Sequence, residues 1–373
     1  AKSSGTTSDK SKFIPISEES LKDIHFKASK DVLTNYYKNF PDSDLLTGKS
    51  LVVGGSHQVY SLDEDIQYGD LSAVLMQNTP FWGHWIRTPE LSIALLDEWE
   101  SKIEQLARNT IHENVTSLAG VPTWTIILIR RILEISGKKT LKEVWPNLEL
   151  YMHGGVSFTP YREQINNLVG APINYLEMYN ASEGFFAAQN MPDDDGLLLF
   201  TNHGIFYEFL PVEEYKKPNA KTIGLKEVEL YKNYALVIST NGGLWRYLLG
   251  DTIQFTSLKP FKIKVTGRLK HFMNAFGEEV IVDNADQAIA IASAKTGAVV
   301  RDYTAAPVFF SEKNNGAHEW LIEFETLPVN LKEFTFHLDE ALKSVNSDYE
   351  AKRYKNIALR EPIVHSLGIG IFN

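Results

Sequence analysis

The sequence predicts an α/β protein. It has a large N-terminal part of helix-covered sheet, a β-barrel-like subdomain within that part, and a small α+β domain at the C-terminal end. Three observations carry this. Leu148 to Met152, a helical stretch from Tyr161 to Leu168, and Ile173 to Met178 have the spacing of a βαβ unit, in which parallel strands need a crossover between them. From Gly196 to Val265 the texture changes to successive β segments, such as Tyr207-Glu208-Phe209-Leu210 and Ala235-Leu236-Val237-Ile238-Ser239, which read as an antiparallel or barrel-like stretch over about 196–265. Beyond Gly267 helices return, with strands near Val308-Phe309-Phe310 and from Trp320 to Phe324. The boundary near Thr266 gives domains of 1–266 and 267–373.

The remaining elements follow from periodicity and caps. Ser17 with Glu18 and Glu19 starts a helix, and Leu21, Ile24, Ala28 and Val32 continue its apolar stripe. Leu51-Val52-Val53 is a short buried-type strand running into the glycine turn Gly54-Gly55-Ser56. A long amphipathic helix is predicted from Pro89 to Glu113, and a second from Thr123 to a stop at Gly137.

Composition narrows the function classes. The 373 residues can bury a large core, and hydrophobic content of 43% with 23% charged residues describes a globular chain. A formal net charge of −10 argues against nucleic acid or an anionic membrane as the main partner. The absence of cysteine excludes disulfides, thiolate metal sites and a cysteine nucleophile. No stretch approaches the ~20 apolar residues of a membrane span, so a cytoplasmic enzyme is the expectation.

The chain opens on Ala1-Lys2-Ser3-Ser4-Gly5-Thr6-Thr7-Ser8-Asp9-Lys10-Ser11-Lys12. Hydroxyls around a glycine, closed by a lysine, suit a loop folded round a polyphosphate; the same composition suits a solvated terminus. A phosphate loop normally hangs from a preceding strand, so an N-terminal part is expected to be missing. Tyr179-Asn180-Ala181-Ser182-Glu183-Gly184 ends a predicted parallel strand, where open α/β sheets bind ligands. Tyr179 offers a flat face for a base, Ser182 a hydroxyl and Glu183 a hard oxygen for magnesium, against the alternative of a plain polar turn. Gly250-Asp251 suits a turn or a carboxylate that reads ribose hydroxyls. Thr266-Gly267-Arg268-Leu269-Lys270 suits a basic turn or a phosphate clamp at a hinge. Thr47-Gly48-Lys49-Ser50 fails as a Walker loop because Ser43 stands where its first glycine is required.

In this order the pieces resemble the adenylate-forming, luciferase-like enzymes, and among them the plant auxin-responsive acyl-acid amido synthetases and their bacterial relatives. That family shows Ser-Ser-Gly-Thr-Ser, Tyr-x-x-Ser-Glu and Tyr-Arg-x-Gly-Asp; this chain has Ser3 to Thr7, Tyr179 to Glu183, and Arg246-Tyr247 with Gly250-Asp251. Trp145-Pro146-Asn147-Leu148 and His153-Gly154-Gly155 extend the resemblance, and the chain is read as a bacterial member. It departs from the family at Ser8 and Asp9, where glycines are common, and at Leu248, where the family has arginine. The family's C-terminal segment with a catalytic lysine is not found before Asn373.

The resemblance implies an adenylate-forming fold and a two-step ligase using ATP and Mg²⁺, joining a small carboxylic acid to an amino acid. It assigns Ser3, Ser4, Gly5, Thr6, Thr7 and Lys12 to phosphates, and Tyr179, Asn180 and Ser182 to the nucleotide. Glu183 goes to magnesium, Asp251 to ribose, Arg268 to ribose or phosphate, and Lys270 to the hinge. Val121, Trp124, His153, Gly154 and Gly155 are candidates for the acyl pocket, with core packing as the alternative for Trp124 and His153. The alternatives at the level of function are an acyl-CoA ligase of the same superfamily and a non-catalytic nucleotide-binding relative.

Overall fold

The computed structural model of the chain describes every residue except 4–11, 55–59, 62–66, 97, 193, 195, 216, 270–271, 279, 312–314 and 373. The described residues fall into two compact units. One holds 1–3, 12–158 and 162–269; the other holds 159–161 and the residues beyond Leu269.

The first unit is built on one sheet of 11 strands. In chain order these are β1 (Lys49–Val53), β2 (Arg87–Thr88), β3 (Val115–Gly120), β4 (Leu150–Gly154), β5 (Asn174–Ala181) and β6 (Gly184–Gln189). They continue with β7 (Leu197–Leu199), β8 (Ile205–Pro211), β9 (Asn233–Thr240), β10 (Tyr247–Leu258) and β11 (Phe261–Arg268). Across the sheet the order is β8-β9-β10-β11-β7-β6-β5-β4-β3-β1-β2. The strands β2, β1, β3, β4 and β5 pair in parallel. From β5 outward through β6 every pairing is antiparallel.

The expected βαβ unit is β4, the helix Arg162–Val169 and β5, with Leu150 opposite Asn174 and Gly154 opposite Met178. The strands of 196–265 are antiparallel. They do not stand apart from the parallel strands but join them, because β11 pairs with β7 and β7 with β6. The joint is the hairpin β5–β6, whose two-residue turn is Ser182-Glu183, with Ala181 opposite Gly184. One core runs beneath this joint, packing Ile24, Ala28, Val32 and Tyr36 against Leu150, Leu176, Phe186, Phe209, Leu236 and Phe255.

The helices of this unit include α1 (Lys27–Asn39), α2 (Trp99–Thr110), α3 (Pro122–Ser136) and α4 (Arg162–Val169). The helix predicted at Ser17 forms, with Ser17 accepting from the Ser20 N–H and a π-helical stretch at Leu21–Phe26 leading into α1. α3 starts on Pro122, which needs no N–H there, and ends at Gly137 with φ 67°, as the sequence predicts. The single helix predicted over Pro89 to Glu113 is instead two, Leu91–Ala94 and α2. Glu98 is extended and its carboxylate caps the Glu100 and Ser101 N–H groups, so a new helix starts where apolar spacing alone suggests continuity.

The second unit has its own three-stranded sheet, Val299–Val308, Ala317–Thr326 and Ile363–Leu367, and its own core around Trp320, Phe324, Phe334, Leu338 and Tyr349. Its described residues include two buried ionic clusters. Glu278 accepts from the Ala275 and Phe276 N–H groups and meets His318 Nε2 at 2.8 Å. Asp339 receives Arg353 Nε and Nη2 at 2.6 Å each, Tyr349 Oη at 2.8 Å and Lys343 Nζ at 2.8 Å. Burial alone raises the Asp339 pKa, yet these donors outweigh it and leave the carboxyl below its ordinary value. Removing that carboxylate strands a buried guanidinium. Asp339→Ala is therefore expected to destabilise this unit by about 3–5 kcal/mol, read as a lowered denaturant midpoint.

Candidate active site

The parallel strands end side by side. Val53 lies opposite Gly120, Ala119 opposite Met152, and Gly154 opposite Met178, which aligns the carboxyl ends of β1, β3, β4 and β5. Gly154 is required by that alignment, since a Cβ there would sit 2.4 Å from the Met178 carbonyl oxygen. Gly155 turns the chain with φ 81°, and a Cβ on it would come within 3.3 Å of Val121 Cγ2. Val121, Gly154 and Gly155 are thus brought together, as the sequence reading grouped them.

His153 is buried and stacked on Phe158, with ring centroids 3.9 Å apart. Burial, with Arg162 adding to it, lowers its pKa to about 3, so the ring is neutral at physiological pH. Its Nδ1 is buried without a hydrogen-bond partner among the described residues. Trp124 is half-buried in the first turn of α3, with its ring centroid 3.8 Å from that of Trp99. Beside them Lys102 is fully buried, its Nζ 3.3 Å from the Gly54 carbonyl oxygen and 5.7 Å from the Trp99 ring centroid. The sequence reading singled out neither Lys102 nor Trp99. The signal was a lysine on the apolar stripe of α2, between Trp99 and Leu106.

A second cluster gathers on the β5–β6 hairpin. Tyr179 donates its hydroxyl to Asp251 Oδ2 at 2.7 Å, and Arg268 Nε meets Asp251 Oδ1 at 2.5 Å. Asp251 and Arg268 are direct partners in the pairing of β10 with β11. Tyr179 is 9% exposed, and its ring packs on Phe186 with centroids 4.9 Å apart. Glu183 accepts from the Tyr247 hydroxyl at 3.1 Å, and Tyr247 accepts from Lys12 Nζ at 3.2 Å. Burial raises the Glu183 pKa; Asp251 adds to this, while Tyr247 and Lys12 pull the other way. The sequence names Tyr247 only as part of the third motif and gives it no role.

Asn180 is exposed and Ser182 half-buried in the turn region. Ser3 and Lys12 lie opposite each other in a two-stranded ribbon. Ser4, Gly5, Thr6, Thr7 and Lys270 lie outside the described residues. Arg246, which precedes Tyr247 in the third motif, is not in this cluster: it grips Glu208 at 2.9 and 3.0 Å and Thr222 at 3.0 Å. Leu248, where the resemblance places an arginine, is 38% exposed. Lys12 and Arg268 are therefore the cations this cluster shows.

Among the described residues no group of three or more His, Asp or Glu side chains is placed to hold a metal. A single carboxylate such as Glu183 fits a magnesium ion that keeps nucleotide oxygens and waters as its other ligands, and does not fit a cation caged by protein alone.

The GH3 family N-terminal domain profile matches residues 1–173, the GH3 family central domain profile 198–268, and the GH3 family C-terminal domain profile 283–373. The chain belongs to the GH3 family. Indole-3-acetic acid-amido synthetase GH3.3 of Arabidopsis thaliana is 24% identical over 289 residues, covering 69% of this GH3 chain and 47% of that protein. This chain thus spans about half the length of the curated relatives it matches. The solved GH3.15 acyl acid amido synthetase superposes with a TM-score of 0.60 at 18% identity, covering 99% of this chain and 74% of that one. A 2-hydroxyisobutyryl-CoA ligase solved with 2-HIB-AMP and CoA superposes with a TM-score of 0.57 at 12% identity, covering 99% and 70%. The fold of this GH3 protein is the adenylate-forming one. No helix among its described residues is long and apolar enough to cross a membrane.

A neutral buried His153 makes a signed prediction. Its folded pKa lies below its unfolded value of about 6.5, so unfolding takes up a proton between those values. Its contribution to stability is full above pH 6.5 and is lost as pH falls toward about 3. Urea midpoints measured from pH 7 to pH 4 should fall less steeply in His153→Phe than in the unmutated protein.

Proposed function

We propose that this protein adenylates a small carboxylic acid with ATP and passes the acyl group to the amine of an amino acid. What supports this is that Lys12, Tyr179, Glu183, Asp251 and Arg268, drawn from four separate stretches of chain, meet on one hairpin at the carboxyl end of a parallel strand. The activities of the GH3 relatives and the fold point the same way.

In this reading a carboxylate oxygen of the acid attacks the α-phosphorus of ATP. The new O–P bond forms as the bond to pyrophosphate breaks. The amine nitrogen then attacks the acyl carbon, AMP leaves with the carboxyl oxygen, and a proton passes to solvent. Asp251 takes the ribose hydroxyls. Arg268 contacts ribose or phosphate, while Lys12 with Ser3, Ser4, Gly5, Thr6 and Thr7 faces the phosphates. Asn180 and Ser182 flank the nucleotide, and Glu183 holds Mg²⁺. The metal, when bound, neutralises charge that gathers on the phosphates. Val121, Trp124, His153, Gly154 and Gly155 bound the acyl pocket at the neighbouring strand ends. Residues 1–266 form the adenylation domain and 267–373 a small domain that reorients between steps, with Lys270 at the hinge. A cytoplasmic location suits an enzyme that consumes ATP and amino acids. In this reading the source is a bacterium, as the sequence resemblance implies.

The likeness to a CoA ligase favours a second reading for the acceptor alone: the thiol of coenzyme A. ATP–pyrophosphate exchange across a panel of aryl, indolyl and aliphatic acids tests the first step. Acid-dependent exchange that falls about 10²–10³-fold in Glu183→Ala is the expected result. AMP release driven by amino acids selects the amido synthetase, and release driven by coenzyme A selects the ligase. ATP binding without exchange for any acid would leave a nucleotide-binding protein without catalysis.

A further inference from the structure

A groove of about 660 Å³ lies along the N-terminal half of β5, at the other end of that strand from the hairpin turn. It arises from the way β6 leaves β5. β6 pairs with β5 only as far as Met178, opposite Ala188, and then turns to β7, with Gln189 opposite Leu197. The Asn174 N–H donates to the Glu149 carbonyl on the β4 side at 2.8 Å. Main-chain groups alternate in direction along a strand, so those of Tyr175 face the other side, where no described strand pairs with it. The Glu177 N–H faces the same way and is met there by a side chain, Gln189 Oε1, at 3.3 Å. Gln189 also lines the groove, so the groove lies on this open side. Tyr175 thus turns one N–H and one C=O toward it.

Arg162, in the first turn of α4, lines the same groove. Its Cζ lies 5.6 Å from the ring centroid of Phe158 and 5.3 Å from that of Tyr175, and among the described residues it has no ion-pair partner. The Tyr175 hydroxyl donates to Asn166 Oδ1 at 2.5 Å, which fixes the ring that the guanidinium covers. A guanidinium held on aromatic faces takes a carboxylate in a bidentate fork. A main-chain donor and acceptor on an open strand edge take a secondary amide, as an added strand would. A volume of this order suits a small molecule.

We infer that this groove binds an N-acyl amino acid, with its amide against the Tyr175 main chain and its carboxylate on Arg162. The reaction proposed above makes compounds of this class, yet the groove uses none of the residues assigned to that reaction, so binding here is separable from turnover.

The test is calorimetric titration of the full chain, without ATP, with three probes. These are N-benzoylglycine, N-benzoylglycinamide, which lacks the carboxylate, and benzoyloxyacetate, in which an ester oxygen replaces the amide N–H. N-Benzoylglycine is expected to bind, and each analogue to bind about tenfold more weakly or worse. Arg162→Gln, checked by thermal melting, is expected to weaken N-benzoylglycine about tenfold and to leave ATP affinity unchanged. Photolabelling with N-(4-benzoylbenzoyl)glycine locates the site, with label expected within 162–176 or 189–192. No binding of N-benzoylglycine, equal binding of all three probes, unchanged affinity in a folded Arg162→Gln, or label confined to 121–124 and 153–155 overturns the inference. The analogues and the label need no variant, so they decide the matter even if Arg162→Gln does not fold. Adenylation is read separately by pyrophosphate exchange, and its failure leaves the outcome of these titrations unaffected.

Discussion

The Asp251 carboxylate stands where the two halves of the large sheet meet. Tyr179 reaches it from β5, the last parallel strand, and Arg268 from β11, in the antiparallel half. A carboxylate this deeply buried is tolerated only with donors on both oxygens. The chain supplies them from opposite halves, so the arrangement that satisfies the charge also ties the halves together. The hairpin turn Ser182-Glu183 then lies beside it, and Tyr247 carries the linkage on to Lys12.

The strand ends next door obey a steric constraint. β4 approaches β5 so closely that residue 154 has no room for a side chain, and residue 155 needs a left-handed backbone. A glycine pair at the end of a parallel strand is thus explained by backbone geometry before any ligand is considered. The same geometry leaves backbone and small side chains at the mouth of the sheet, with His153, Trp124 and Lys102 set around them.

Much of this was legible in the chain. Tyr179 to Glu183 could be placed because a polar run closed a predicted parallel strand, and Asp251 and Arg268 because acidic and basic residues closed short β segments. The role of Tyr247 and the burial of Lys102 were not legible. Tyr247 opens a strand in a sequence rich in tyrosine, and only pairing across the sheet brings it to Glu183. Lys102 sits where helical spacing calls for an apolar residue, and spacing treats such a lysine as solvated. Arg246, named in the third motif without a role, is turned outward to Glu208, a residue 38 positions away. The break at Glu98 is not legible because a hydrophobic stripe can run across two helices in phase.

The second unit has its own sheet and its own buried ionic clusters, so the two units bear damage separately. A lesion at Glu278 or Asp339 falls on charges compensated within the smaller core, while the described side chains around Asp251, namely Tyr179 and Arg268, belong to the larger unit. Natural variants of such a chain sort into two kinds by where they strike. One kind erodes the smaller fold and leaves the Asp251 cluster whole. The other kind alters that cluster in a protein that still folds. Sequence drift can therefore proceed at different rates in the two parts of one polypeptide.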